Sequence, residues 1–377
     1  MRIHFYLPKG HLPSPERQAS WMAGRIPDLL GGGKSASAQS WIFQTWAELG
    51  RISEICRAQG ERASRPFRDW KSYRSNEPHT GGTPMPPGKI REVATFGDAP
   101  AELRGWADVE LVHELPASGI IITLSNLLPD GFLPQRDQFI AAVTADFLPH
   151  PGAHVQIVQN AAHARRLPGS VFVPHWPQPN LIPRDPSRDD RFETLAFFGD
   201  PSNLAAELST PAFARELESR ADVRFEIREN TRWHDYSDVD AVLAVRDFSR
   251  ARHLNKPATK LYNAWLGGTP LIGGRDSAFS AEGQEGSDYL VARSAADCIS
   301  HVCRLKNDPA LRKAIVDAGT ARAATRSRDA VRELWQELCS SGLPERMDAW
   351  KKKPPLHQSA FRQLKRGIYF LDKKLRS

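Results

Sequence analysis

The stretch NKPATKLYNAWLGGTPLIGG, residues 255–274, predicts a helix followed by a short buried strand. Asn255 is a favourable N-cap, and proline suits a first helical turn. Gly267 and Gly268 are typical of a helix end, and the Thr-Pro pair and apolar run that follow favour a strand. We therefore expect a helix of about three turns that begins beside Asn255.

Two lysines occupy the predicted first turn of this helix. Lys256 and Lys260 are four residues apart, so their like charges meet each other and the positive end of the helix dipole. This placement costs roughly 0.2 to 1 kcal/mol from each effect. Free backbone N–H groups and two ammonium groups at a helix N-terminus suit a bound phosphate. Solvated surface lysines are the alternative interpretation.

The composition of the 377-residue chain predicts a globular protein of two domains. The start, MRIHFYLPKG, lacks the apolar segment of a signal peptide, and no window approaches the length of a membrane span. We therefore expect a cytoplasmic protein. The four cysteines include no CxxC pair, which indicates neither a disulfide framework nor a zinc site.

The positive charge of the chain is concentrated in its last residues. The formal net charge is +7, yet residues 351–377 (the tail) contain nine Lys or Arg and one acid. The body is therefore nearly neutral, which is unfavourable for a nucleic-acid-binding protein. Residues 359–376 can form a basic amphipathic helix that lies on an anionic membrane. Packing of its apolar stripe against the N-terminal domain is the alternative. The stripe consists of Phe361, Leu364, Ile368, Leu371 and Leu375.

Short apolar runs in the first half predict parallel strands covered on both faces. Open α/β sheets bind ligands beyond the carboxyl ends of their strands. His11 follows the first run, and Asp146 follows the run that ends at Val143. Asp146 is the candidate general base, and a turn-forming loop aspartate is the alternative. The runs are Ile3–Leu7, Val109–Val112, Gly119–Leu124, Phe139–Val143 and Val155–Val158.

Three further segments of the first half connect or cover these runs. Residues 40–58 show helical spacing of apolar side chains, and the polar residues 60–92 form a loop or mobile lid. Residues 169–188 contain five prolines and predict a stiff connection between domains. His175 lies in this connection and would face the cleft. His11 and His175 are rivals of Asp146 because imidazole titrates near neutrality.

The second half alternates strands and helices, which is typical of an α/β domain. The strand Thr194–Phe198 runs into Gly199 and a helix, as at the opening of a nucleotide-binding unit. The strand Val239–Val245 runs directly into Arg246, and further arginines follow. Cations at a strand end, followed by a lysine-bearing helix, predict a phosphate cradle. Exposed loop arginines are the alternative.

This succession resembles the C-terminal domain of GT-B glycosyltransferases over about residues 194–325. The resemblance is carried by residues 240–246, by NKPATKLYNAWLGGTPLI, by SAFSAEGQEGSDYL from Ser277, and by the helix ending LKNDPALRKAIVDAG. Many retaining members have two glutamates eight residues apart, where this chain has Asn255 and Asn263. The amides can hydrogen-bond to ribose or sugar hydroxyls but carry no charge. Residues 1–180 match only in their strand-rich layout.

The resemblance implies an α/β protein with two Rossmann-like domains that face each other across a cleft. The N-terminal acceptor domain would cover residues 1–180, the C-terminal donor domain residues 190–340, and the basic amphipathic tail residues 351–377. The implied reaction moves a sugar from a nucleotide-diphosphate sugar to a hydroxyl acceptor, either lipid-linked or a surface polysaccharide. A sugar-nucleotide epimerase or hydrolase of the same fold, or a non-catalytic nucleotide-binding protein, is the alternative.

The resemblance also implies roles for residues of the second half. Arg246, Lys256 and Lys260 would neutralise the leaving diphosphate, so that neither a cofactor nor a metal ion is required. The donor-orienting groups would be Asn255, Asn263 and Ser277, beside Gly199. The expected partners are therefore the nucleotide sugar, the acceptor and an anionic membrane surface, without nucleic acid.

The tail generates the first prediction. We expect the full-length protein to sediment with vesicles of anionic lipid at low salt, because each cation near an anionic leaflet contributes about 1 kcal/mol. A chain that ends at Trp350 should stay in the supernatant, and neutral vesicles should bind neither protein. Equal sedimentation of the two proteins, or of neither, would contradict membrane binding and favour an interdomain role for the tail.

Overall fold

Eleven strands are found in the part of the chain that the structure describes. This computed structural model describes residues 2–14, 18, 39–49, 108–228, 232–356, 358–360, 363–364 and 367. The strands are β1 (Arg2–Tyr6), β2 (Asp108–Val112), β3 (Gly119–Leu124), β4 (Gln138–Val143), β5 (Val155–Val158), β6 (Val171–Phe172), β7 (Thr194–Phe198), β8 (Arg224–Arg228), β9 (Ala241–Ala244), β10 (Leu271–Gly273) and β11 (Leu290–Val291).

The strands form two parallel sheets. The first has the order β2-β1-β3-β4-β5-β6 and the second the order β11-β10-β9-β7-β8. Each order reverses once, between β1 and β3 and between β7 and β9, and such switch points open a crevice at the carboxyl edge of a sheet. The predicted fold class, α/β with two Rossmann-like units, is therefore confirmed. The limits predicted for the domains stay predictions.

The helices cover both faces of the second sheet. Leu195 and Phe197 of β7 share a core with α2 and α5, whereas Ala196 and Phe198 point to α3 and α4, because successive strand residues alternate between faces. The helices are α1 (Ala161–Ala164), α2 (Pro211–Ala221), α3 (Thr259–Leu266), α4 (Ser277–Glu282), α5 (Ala295–Asn307), α6 (Pro309–Ala323), α7 (Arg328–Glu337) and α8 (Leu343–Lys351).

The last two of these helices return to the first sheet. Trp335 of α7 lies in the same core as Phe5 of β1, with ring centroids 6.4 Å apart. Trp350 of α8 is also buried in this core. At the start of α7, the Arg328 guanidinium pairs with the buried carboxylate of Glu48 at 2.5 Å. The first strand and the helices α7 and α8 therefore lie on the same sheet, and the second sheet is inserted between them in the sequence.

The helix predicted to start at Asn255 starts later. α3 begins at Thr259, and its N-cap residue, Ala258, makes no side-chain capping bond. The expected N-cap is wrong because the other domain engages Asn255, whose side-chain amide donates to the Asp146 carbonyl at 3.1 Å. Lys256 therefore lies in a loop, and Lys260 alone lies in the first turn of α3. The predicted stop at Gly267 and the following strand are confirmed.

Two further segments differ from the sequence predictions. The proline-rich connection contains β6, whose pairing with β5 extends the first sheet by one strand. The helix expected directly after Gly199 begins only at Pro211, because Asp200 and Ala205 start two short 3-10 turns before it.

Several sequence predictions fall outside the described residues. These are the second part of the helix predicted over residues 40–58, the loop or lid at residues 60–92, and most of the tail. Within the described residues, no helix is both long enough and apolar enough to cross a membrane.

Close packing of α3 against α6 generates the second prediction. A Cβ atom on Gly319 of α6 would lie 2.4 Å from Cδ1 of Trp265, which is buried and donates its indole N–H to the Asp288 carbonyl. Gly319→Ala should therefore lower the free energy of unfolding by about 1 to 3 kcal/mol, the usual cost of overpacking. This loss outweighs the helix-propensity gain of up to about 1 kcal/mol. Urea denaturation measures it.

The matched control for this variant is Gly131→Ala. A Cβ atom at Gly131 would meet no other atom within 4 Å, so the change should stay within about 0.5 kcal/mol. Equal stability of the two variants would show that α3 and α6 do not approach each other as described.

Candidate functional site

The switch point of the second sheet is occupied by a lysine side chain. Gly199 follows β7 and Arg246 follows β9, on the two sides of the crevice. Lys260 extends between them from α3, and a Cβ atom on Gly199 would lie only 3.2 Å from its Nζ atom. Gly199 also has a φ of +144°, a conformation that side chains disfavour. Glycine is therefore needed here for both the backbone conformation and the approach of Lys260.

The Lys260 ammonium has no counter-ion among the described residues. Its Nζ atom lies over the face of the Phe197 ring, 5.0 Å from the centroid. Burial lowers the pKa of Lys260 to about 7, and the positive charges of Arg246 and Lys256 act in the same direction. The free protein therefore holds a cation at the crevice that an incoming anion would stabilise.

The two carboxylates near Lys260 are paired with other cations. Asp276 accepts from Nε of Arg246 at 3.2 Å and caps α4 through the backbone N–H of Ala278 at 2.9 Å. Burial raises the pKa of Asp276, against the effect of Arg246. Asp146, from the first sheet, pairs with Nζ of Lys256 at 3.0 Å. Although both carboxylates favour the charged form of Lys260, neither bonds to its ammonium group.

Two amide side chains after β5 join the carboxyl edges of the two sheets. Gln159 donates to the Asn255 carbonyl at 2.8 Å, and Asn160 donates to the Lys256 carbonyl at 3.1 Å. Asn160 also lies 3.0 Å from the Ser277 hydroxyl at the start of α4. The loop that carries Lys256 is therefore fixed by the first domain.

The remaining predicted residues lie at the same edges. Asn263 is buried in α3, and its side-chain oxygen accepts from the backbone N–H of Gln178 at 2.9 Å. His175 is partly buried three residues before Gln178, and His11 ends the short turn after β1. Asn263 thus contacts the connection between the domains rather than open space.

The structure brings most of the predicted residues together, while their roles stay predictions. Around the second switch point lie Gly199, Arg246, Lys256, Lys260, Asn255, Ser277 and Asp146. Sequence reasoning missed Asp276, although an acid directly before a helix is a recognisable N-cap signal. It also missed Gln159 and Asn160, for which the sequence offers no comparable signal. Among the described residues, no group of three His, Cys, Asp or Glu side chains is placed to hold a metal ion.

Comparison with known proteins identifies the second half. Residues 212–339 match a family model described as "Glycosyl transferase-like". Over these residues, about a third of the chain, the sequence is similar to glycosyl transferase-like domains. The resemblance to glycosyltransferases seen in the sequence of this half is therefore confirmed. The match covers α2 to α7 and so includes Arg246, Lys256 and Lys260. No curated protein matches the chain.

Solved glycosyltransferase structures show partial similarity to this chain. TarM of S. aureus has 13% identity over 60% of this chain and 56% of its own, with a TM-score of 0.43. Anabaena HepE in complex with UDP has 11% identity over 62% of this chain and 86% of its own, with a TM-score of 0.43. Sucrose-phosphate synthase from Thermosynechococcus elongatus has 13% identity over 61% and 74%, with a TM-score of 0.41. The chain thus spans just over half the length of TarM.

The unpaired Lys260 charge generates the third prediction. Lys260→Met should weaken binding of a nucleoside diphosphate by about 1.5 to 3 kcal/mol, the range for hydrogen bonds to charged groups. The fold should be as stable as the wild type or more stable, since a buried charge is removed. Calorimetric titration should use the best ligand from a thermal-shift panel of UDP, GDP, ADP and dTDP.

The control is Lys313→Met, which removes an equal charge from an exposed pair with Asp317 on α6. Wild-type affinity should also fall as pH rises through about 7, because free Lys260 then loses its proton. The Lys260→Met protein should lack this decrease. If Lys260→Met and Lys313→Met bind the nucleoside diphosphate equally well, Lys260 does not contribute to the ligand site.

Proposed function

We propose that this chain transfers a glycosyl group from a nucleotide-diphosphate sugar to a hydroxyl acceptor. The observation that carries the proposal is the Lys260 ammonium, which has no counter-ion among the described residues and lies at the switch point of the region similar to glycosyl transferase-like domains. A diphosphate is the anion that such a domain would bind there. The proposed donor site therefore lies between Gly199 and Arg246.

In this proposal, the cations of the second domain stabilise the leaving group. Negative charge grows on the diphosphate as its bond to the sugar breaks, and fixed positive groups stabilise that charge most in the transition state. Lys260 supplies the unpaired charge, and Arg246 lies beside it with one hydrogen bond to Asp276. Lys256 contributes from the loop fixed by the first domain. The proposal assigns this role to side chains and includes no cofactor.

The acceptor enters, in this proposal, from the carboxyl edge of the first sheet. Asp146 and His175 lie past the ends of β4 and β6 on that edge. A lipid-linked or polysaccharide acceptor fits the basic tail, which would hold the enzyme on the inner face of a membrane. The sedimentation experiment on the tail tests this part separately from the transfer reaction.

Dependence of turnover on an acceptor is the fourth prediction. The chain should release nucleoside diphosphate from a nucleotide sugar at least tenfold faster when a hydroxyl acceptor is present. We expect this because a bound acceptor replaces a freely diffusing water molecule at the reacting carbon. The assay screens UDP-, GDP-, ADP- and dTDP-sugars against a panel of p-nitrophenyl glycosides, with released nucleotide and new glycoside measured together.

The outcomes separate the alternatives named for this fold. Nucleotide release without new glycoside indicates a hydrolase, and a changed sugar that stays on its nucleotide indicates an epimerase. Binding of nucleoside diphosphate without turnover of any of these donors would favour a non-catalytic binding protein. Any of these three outcomes would contradict the proposed transfer.

A further inference from the structure

A serine and a histidine from distant parts of the chain meet at the edge of the first sheet. The Ser40 hydroxyl oxygen lies 3.2 Å from Nε2 of His175. Ser40 is buried in the helical segment of residues 39–49, and His175 follows β6 in the connection to the second domain. The rings of Trp41 and His175 pack edge to face, with their centroids 4.9 Å apart. The histidine ring is therefore held on two sides.

The hydrogen bonds of His175 determine which nitrogen carries the proton. Nδ1 lies 2.6 Å from the Trp176 carbonyl oxygen, which can only accept, so Nδ1 is the donor. Nε2 of the neutral ring is then an acceptor and receives the Ser40 hydroxyl hydrogen. The serine oxygen keeps its lone pairs for another hydroxyl. This arrangement is that of a proton-accepting pair.

The pair lies near residues at the carboxyl edge of the first sheet. Gln39, next to Ser40, donates its side-chain amide to the His11 carbonyl at 3.3 Å, which places this turn beside the carboxyl end of β1. His175 lies within electrostatic range of Asp146, the acid that bonds to Lys256 of the second domain. Asp146 is the charged group that acts on His175 among the described residues. The pair is thus located near His11 and within electrostatic range of Asp146.

We propose that His175, acting through Ser40, is the general base of the transfer reaction, a role that rests on the proposed function. The acceptor hydroxyl donates its proton to Ser40, whose own proton moves to Nε2 of His175. The acceptor oxygen then forms the new bond to the anomeric carbon. The bond from that carbon to the diphosphate breaks, and its electron pair leaves with the diphosphate. Asp146 stabilises the resulting imidazolium.

Asp146 is less suited to the same role. Its carboxylate is already engaged in an ion pair with the Lys256 ammonium at 3.0 Å. His175, in contrast, forms no ion pair with a cation among the described residues, and burial lowers the pKa of its ring, which favours the neutral form. Direct attack by a base-activated hydroxyl inverts the anomeric configuration, as in glycosidases that activate water with a base.

The fifth prediction compares the kcat values of variants. The assay uses the nucleotide-sugar donor and the p-nitrophenyl glycoside acceptor that the wild type turns over fastest. His175→Gln, which retains hydrogen bonding but cannot take up a proton, should lower kcat by 10²- to 10⁴-fold. Ser40→Ala should lower kcat strongly, and Ser40→Thr, which restores a hydroxyl, should recover most of it. The wild-type rate should fall at acidic pH as His175 is protonated, because burial lowers the pKa of His175, and His175→Gln should lack that fall.

The controls separate this inference from the proposed function. His113→Gln makes the same change at a histidine that only donates to the Leu7 carbonyl, so kcat should not change. Nucleoside diphosphate affinity should be unchanged in His175→Gln. A product of retained configuration, or an acid limb that persists in His175→Gln and vanishes in Asp146→Asn or His11→Gln, would overturn the inference alone. Absence of wild-type transfer would overturn the proposed function and this inference together.

Discussion

The docking of two buried amides onto the second domain is the contact on which the geometry of the candidate site depends. Gln159 and Asn160 use their N–H groups to satisfy carbonyls of the loop before α3, and a buried amide without such partners would be costly. The same loop would otherwise continue α3 by another turn. Lys256 of this loop pairs with Asp146 at 3.0 Å, so this carboxylate bonds to Lys256 rather than to Lys260. This interdomain contact therefore fixes the loop that carries Lys256.

The second carboxylate near Lys260, that of Asp276, is also bonded to other groups. Asp276 has two acceptor oxygens, and both are engaged, one by Arg246 and one by the first turn of α4. Lys260 is left with an aromatic ring, which stabilises an ammonium group far less than a carboxylate does. A structural role would favour a neutral side chain at this position. The arrangement is typical of a ligand site, where local stability is exchanged for binding.

The sequence predicted the strands well and the site only in part. Continuous apolar runs such as Gly119–Leu124 are unambiguous because both faces of a parallel strand are buried. The predicted start of α3 was wrong because Asn255 does not cap the helix. Its backbone carbonyl instead accepts a hydrogen bond from Gln159, which lies about 95 residues earlier in the chain. Such a contact cannot be found from local periodicity. The hydrogen bond between Ser40 and His175 joins residues 135 positions apart, so local sequence patterns cannot predict it either.

Burial acts on the two titrating groups of the proposed mechanism in the same direction, with opposite consequences. It lowers the pKa of His175, so that the base stays neutral and active toward lower pH. It lowers the pKa of Lys260 to about 7, so that the cation is lost toward higher pH. A bound diphosphate reverses only the second effect, because an adjacent anion favours the protonated amine. Under the proposed mechanism, a bound donor would therefore restore the positive charge of Lys260 beside the leaving group.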